Sequence, residues 1–232
     1  MFSIRYFQIK DRNTRFFTIK TGEEIPSMHQ VAFSGWDDTV HTTVKKLGMS
    51  EHERFEKYLV KHEYIQHING RYRGEPINYY IPVEELDFFV EREGNTLFAK
   101  GRSKPIEEAI RVLEKDNIIQ LLTFEVNLTQ LMNKLQQLNV TGGWFRNLEI
   151  ERVESAGVFG SSVSESPLWE EFESKGELSA VLINTILSGK FQSVMITRKA
   201  SILFYEQWDE KYCLEKACNL FEIIKPCLVA VS

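Results

Sequence analysis

The stretch His62-Glu63-Tyr64-Ile65-Gln66-His67 sets two imidazoles around a glutamate, the residue types of a zinc-binding helix. The spacing does not serve that chemistry. Two ligands must share one helical face, as residues i and i+4 do, whereas residues i and i+5 lie about 140° apart. His62 also falls on an apolar stripe, where a hydrogen-bonded core histidine is the expectation. Asp87, Glu91 and Glu93 with Lys100 have the composition of a nuclease site in which acids hold Mg²⁺ beside a lysine. Such a site needs an acid and the lysine two residues apart on one strand, so that both point the same way, and this run lacks that pair. Gly157 to Ser162 is neither a phosphate loop nor a nucleophile elbow and reads as a flexible turn. No catalytic residue, metal site or cofactor is assigned.

Two basic patches carry the functional signal. Arg71-Tyr72-Arg73, in a Gly-flanked loop, combines guanidinium and aromatic groups that can stack on bases or clamp phosphates. Lys100-Gly101-Arg102-Ser103-Lys104 lies where a helix begins, so that cations, backbone N–H groups and the positive end of the helix dipole could converge on one phosphate.

The elements that must position these residues are those of an ordinary globular chain: 232 residues, 43% hydrophobic and 26% charged. No apolar run approaches a membrane span and no signal or transit peptide is legible at Met1 to Tyr6, so a cytoplasmic protein without membrane contact is expected. Three clustered cysteines without Cys-x-x-Cys spacing read as reduced, mostly buried thiols. The net charge of −5 supplies no global field for nucleic acid. Residues 1–75 hold 12 Lys/Arg against 10 Asp/Glu and all five His, whereas the rest holds 16 against 23, so any nucleic-acid surface belongs to the first part.

Alternation predicts a hairpin from Ser3–Lys10 and Arg15–Lys20, then a short helix from Asp37-Asp38 to Lys46. Ser50 and Glu53 read as a capping box for a helix with Phe55, Tyr58, Leu59, His62, Ile65 and Ile68 on one face. A polar turn over 69–76 precedes strands at 78–83, 86–92 and 96–100, with Gly94-Asn95 as a hairpin turn. A helix over 103–115 buries Ile106, Ala109, Ile110 and Leu113. A strand at 118–126 and an Asn127-capped helix to Leu138 follow, then a strand near 144–153 and a long loop over 155–177. Strands at 178–187, 192–197 and 201–206, a helix at 212–224 and a strand at 227–231 close the chain.

At an offset of 106 residues, Leu97-Phe98 falls on Leu203-Phe204, Phe89-Val90 on Met195-Ile196, and the helix at 105–115 on 211–221. The order of strand, helix, antiparallel strands and long helix resembles that of the TATA-box-binding-protein fold over about two thirds of the chain. That resemblance implies an α+β protein of two pseudo-repeated halves, a curved antiparallel sheet with helices packed on one face. The halves are expected at 1–117, with inserted helices over 37–68, and at 118–232. In the DNA-bending members, phenylalanines wedge into the minor groove. Here the corresponding hairpin positions are Glu91 and Thr197, and only Leu178, opening the preceding strand, could still wedge, so DNA kinking is not implied.

The reading is a non-enzymatic binding module that engages a protein partner or nucleic acid through its sheet face or through Arg71, Tyr72, Arg73, Lys100, Arg102 and Lys104, with the acidic balance favouring protein. The alternative is a metal-dependent phosphodiester hydrolase with an unrecognised carboxylate site. Homo-oligomerisation is left open.

Overall fold

Thr96–Lys100 and Ser103–Lys115, the least ambiguous patterns in the sequence, form a strand and a helix over those residues. They belong to a computed structural model that describes residues 2–33, 36–134, 139–187, 190–206 and 208–231. The protein is α+β with antiparallel strand pairing, and the chain divides into two compact units. One unit is Phe7–Leu122, and the other joins Met1–Tyr6 to Thr123–Ser232.

The Phe7–Leu122 unit takes the end of β1 (Phe2–Ile9), then α1 (Arg15–Thr18), β2 (Glu24–Phe33), β3 (Trp36–Met49), β4 (Phe55–Glu63), β5 (Gln66–Tyr72), β6 (Glu75–Tyr80), β7 (Val83–Glu91), β8 (Thr96–Lys100), α2 (Ser103–Lys115) and the first residues of β9 (Leu121–Val126). Its sheet runs β2-β3-β4-β7-β8-β1, while, among the described strands, β5 and β6 pair only with each other. Register places Val60 beside Leu86, and Tyr58 beside Phe88 and then Ala99, so these side chains share one face. Ile106, Ala109, Ile110 and Leu113 of α2 join that face in one buried cluster. Removing a side chain such as Leu113 would cost about 2–5 kcal/mol in lost transfer energy and residual cavity. The central strand β7 is buried on its other face too, where Phe89 and its neighbour Phe98 are both 1% exposed.

The region from 37 to 69 departs most from the sequence reading. The expected helices are strands, because β4 is paired on both sides, with β3 before it in the chain and with β7, whose residues lie 20 or more positions further on. Tyr58 and His62, four apart, suit either period; Tyr58, Val60, His62 and Tyr64 are the buried alternates of a strand and its extension, while Phe55 lies on the opposite face against Phe98. Ser50 caps no helix: its hydroxyl accepts from the His52 N–H at 3.1 Å and donates to the His52 carbonyl at 2.8 Å, closing a tight turn. Arg15–Thr18 is a helical turn instead of a strand, since Phe16 stacks on Tyr58 at 4.5 Å and donates its N–H to the Ile118 carbonyl at 2.9 Å.

The second unit takes the start of β1, the rest of β9, α3 (Leu128–Lys134), β10 (Asn139–Ile150), β11 (Val153–Phe159), α4 (Pro167–Lys175), β12 (Glu177–Leu187), β13 (Lys190–Thr197), β14 (Ser201–Phe204), α5 (Glu210–Ile224) and β15 (Leu228–Val231). Its sheet runs β11-β10-β12-β13-β14-β1, and β15 pairs with β9. Ile4, Ile202, Ile196, Val181, Gly143 and Val158 lie side by side in register on one face. Trp169 of α4 covers that face at Gly143, where an added Cβ would come within 2.3 Å of the indole. The long loop expected over 155–177 is therefore β11 and α4, the latter capped by Ser166 and opened by Pro167. Asn127 accepts from the Gln130 N–H at 2.9 Å and starts α3 as expected; the end of that helix, 135–138, lies outside the described residues. Cys213 and Cys227 are buried, and none of the three described cysteines is in a disulfide.

Candidate functional site

The segment between β4 and β7 is a hairpin exposed along most of its length, and it carries the first basic patch. Tyr72 and Glu75 face each other across a two-residue turn in which Arg73 and Gly74 both have positive φ, 51° and 88°. This is the turn whose twist suits a hairpin, and a non-glycine residue at its first position carries backbone strain. Arg71 and Arg73 are exposed, and the Arg73 guanidinium lies 5.3 Å from the centre of the Tyr72 ring. Tyr72 is 61% exposed. Polar spacing and a Gly at the turn could have revealed the hairpin; the long turn expected over 69–76 left it hidden.

The second patch is placed differently. Arg102 sits just before α2 and reaches back to the foot of the hairpin. Its Nε donates to Glu84 Oε1 at 2.8 Å, one terminal nitrogen donates to the Tyr64 hydroxyl at 2.8 Å, and the same nitrogen pairs with Glu84 Oε2. The Glu84 hydrogen bond holds the guanidinium above its ordinary pKa. Tyr64 precedes β5 and Glu84 follows β6, so Arg102 fastens the two ends of the hairpin together. Lys104 pairs with Glu108 at 3.8 Å one helical turn on, and Lys100 stands opposite Asp87 in the β7–β8 ladder. The structure thus gathers Arg71, Tyr72 and Arg73 on the hairpin and sets Arg102 and Lys104 against carboxylates. Tyr64 and Glu84 are the residues that sequence reasoning missed, because their roles depend on a contact with a residue 18 or more positions away.

Beneath the hairpin, Thr42 Oγ1 and His62 Nδ1 share a hydrogen bond of 2.8 Å, and His62 Nε2 stands 3.8 Å from Glu108 Oε2. Hydroxyl, imidazole and carboxylate are the ingredients of an activated nucleophile. Thr42 is only 1% exposed, so its hydroxyl meets no substrate, and the contact is a polar pair held inside the core. His67 stands on the hairpin, exposed, and does not share a site with His62.

The other acids are engaged separately. Asp87 pairs with Lys57 at 3.3 Å, and Glu91 accepts from Arg54 Nε at 2.7 Å. Burial opposes the ionised form of Glu91, but hydrogen bonds from Thr96 and Arg54 outweigh it and hold the carboxyl below the usual range. Among the described residues, no group of three or more His, Cys, Asp or Glu gathers where a metal could be held. No described helix is long and apolar enough to cross a membrane. Leu178 lies beside Gly143 on the side of the sheet that Trp169 covers, and Thr197 stands on a different strand opposite Ala180. Comparison with protein-family models gives no match, and no curated protein matches the chain.

Proposed function

We propose that the protein is a binding module whose contact element is the β5–β6 hairpin, and that its partner is a protein. The observation that carries this reading is a two-stranded ribbon that pairs with no other described strand and displays Arg71, Tyr72 and Arg73 at its end. An isolated hairpin is marginally stable in water, so a ribbon of this kind gains by being covered. Tyrosine and arginine are the residues that most often dominate binding energy at protein interfaces.

Nucleic acid is the second reading, favoured by the polar set Gln66, Asn78, Tyr80 and Arg71 on a ribbon of a width that a major groove admits. Against it stand the net charge of −5 and the pairing of Arg102 and Lys104 with acids, since phosphate binding draws on several cations at once. A metal-dependent phosphodiesterase would need carboxylates that converge, and the pairing of Asp87 and Glu91 with different cations speaks for binding instead.

A two-halved protein of the TATA-box-binding-protein type belongs to the same proposal. Its support is the order strand, short helix, antiparallel strands, long helix and strand in each unit, with α4 inserted among the strands of the second. The positions 106 apart also fall in like elements, β7 with β13, β8 with β14 and α2 with α5.

The test compares the protein with a tip variant, Arg71→Ala/Tyr72→Ala/Arg73→Gly, in crosslinking to proteins of its native cell and in anisotropy with labelled DNA and RNA across a salt series. Protein crosslinks that disappear in the folded variant support the reading. Partner contacts that survive it place the contact surface elsewhere, and salt-sensitive oligonucleotide binding lost in the variant moves the partner to nucleic acid.

A further inference from the structure

The hairpin has two outer edges, and its register makes them unequal. The Tyr72–Glu75 pair that closes a two-residue turn exchanges hydrogen bonds inside the ribbon, so the next pair, Arg71–Pro76, turns its backbone groups outward. On β6 the outward position beside the turn is a proline, which has no N–H to give. On β5 the outward position is Arg71, which presents both N–H and carbonyl, and no other described strand pairs with that edge. Beside the turn, one edge is blunted and the other is open.

The side chains on the Arg71 face add a sign. Pro76 and Tyr80 share that face, and Gln66 is opposite Tyr80, its Oε1 accepting from the tyrosine hydroxyl at 2.8 Å. None of these carries a negative charge. Glu75 lies on the opposite face with Tyr72 and Ile77. A strand added along β5 would therefore set a side chain against Arg71 with no competing carboxylate beside it. A second copy of β5 centred on the same position would set one arginine against another, and like charges directly opposite are destabilising.

Resting on the reading of the hairpin as the contact element, we infer that the outer edge of β5 at Arg71 receives an extended, acidic segment of the partner protein as an added strand. The partner's backbone pairs with the Arg71 N–H and carbonyl, and an acidic side chain pairs with the guanidinium. The register shift between His67 and Gly70 ends regular pairing on β5, so the paired stretch is short and the charge contact sets the specificity.

The experiment measures anisotropy of three short labelled peptides against the full chain. One alternates Val and Glu, the second is the same peptide N-methylated at alternate backbone nitrogens, and the third alternates Val and Lys. The expected result is binding of the Val–Glu peptide, weakening by roughly tenfold on N-methylation as the hydrogen bond donated to the Arg71 carbonyl is lost and a methyl group is set against the edge, and no binding of the Val–Lys peptide. In Arg71→Glu the preference between the Glu and Lys peptides inverts. Equal binding of the N-methylated peptide overturns the added strand, as does wild-type binding that ignores charge or is absent at millimolar peptide. Binding of oligonucleotides that depends on Arg71 and Arg73 overturns the acidic partner and leaves the hairpin as the contact element. Failure of that element itself is read separately, from partner crosslinks that persist in the tip variant.

Discussion

Arg102 has two incompatible roles, one suggested by its neighbours in sequence and one by its neighbours in space, and replacing it by alanine separates them. As a phosphate-binding cation it would be expendable to the fold. As the fastening between Tyr64 and Glu84 it holds the ends of the hairpin. The Tyr64 side is the firmer, because that ring is 6% exposed and its hydroxyl loses a charged donor, worth about 1 kcal/mol net. The Glu84 pair is discounted because the Arg102 side chain is 64% exposed, leaving a few tenths of a kcal/mol. A loss of about 1 kcal/mol that falls on the hairpin raises its open population roughly fivefold. Trypsin cuts after Arg71 and Arg73 only when the hairpin opens, so the rate of those cuts, followed by mass spectrometry at low protease, should rise by about that factor in Arg102→Ala. Arg102→Lys, which keeps the charge but not the fork, should recover only part of the protection. Unchanged cutting together with lost binding to phosphate-bearing ligands would refute the fastening role.

Gly143→Ala should destabilise by about 2 kcal/mol in urea unfolding, because the new methyl would overlap the buried Trp169 ring at 2.3 Å. Combining it with Trp169→Leu should cost less than the sum of the two single changes. Glu91 has a folded pKa below the ordinary glutamate value of 4.5, so its contribution is present above that value and is lost as pH falls through the lower, folded one. Thermal melts of Glu91→Gln should accordingly lose less stability than wild type as the pH is lowered from 4.5. Arg73→Asn should leave the melting temperature nearly unchanged while weakening partner binding: asparagine tolerates the φ of 51°, which offsets the lost contact with Tyr72.

Local chemistry was enough to place the elements whose signals lie within a few residues. The α2 stripe of Ile106, Ala109, Ile110 and Leu113, the Asn127 cap at 2.9 Å, and the strands from Glu177 to Phe204 are all set by periodicity and capping that the chain carries in itself. The segment from 37 to 69 was not legible in that way. Tyr58 and His62, four apart, satisfy a helical and an extended period alike, and the decision rests with β3 and β7, which pair with β4 on its two sides. The same separation runs through the candidate site. Arg71, Tyr72 and Arg73 announce themselves by residue type, whereas the turn at Arg73–Gly74 fixes which edge Arg71 opens. Arg102 and Lys104 read as free cations in the sequence because Glu84 and Glu108 are brought to them only when β7 and α2 pack in the folded unit. Charge and periodicity are properties of the chain; whether a charge is spent inside the molecule or offered outside it is decided by the contacts that folding makes.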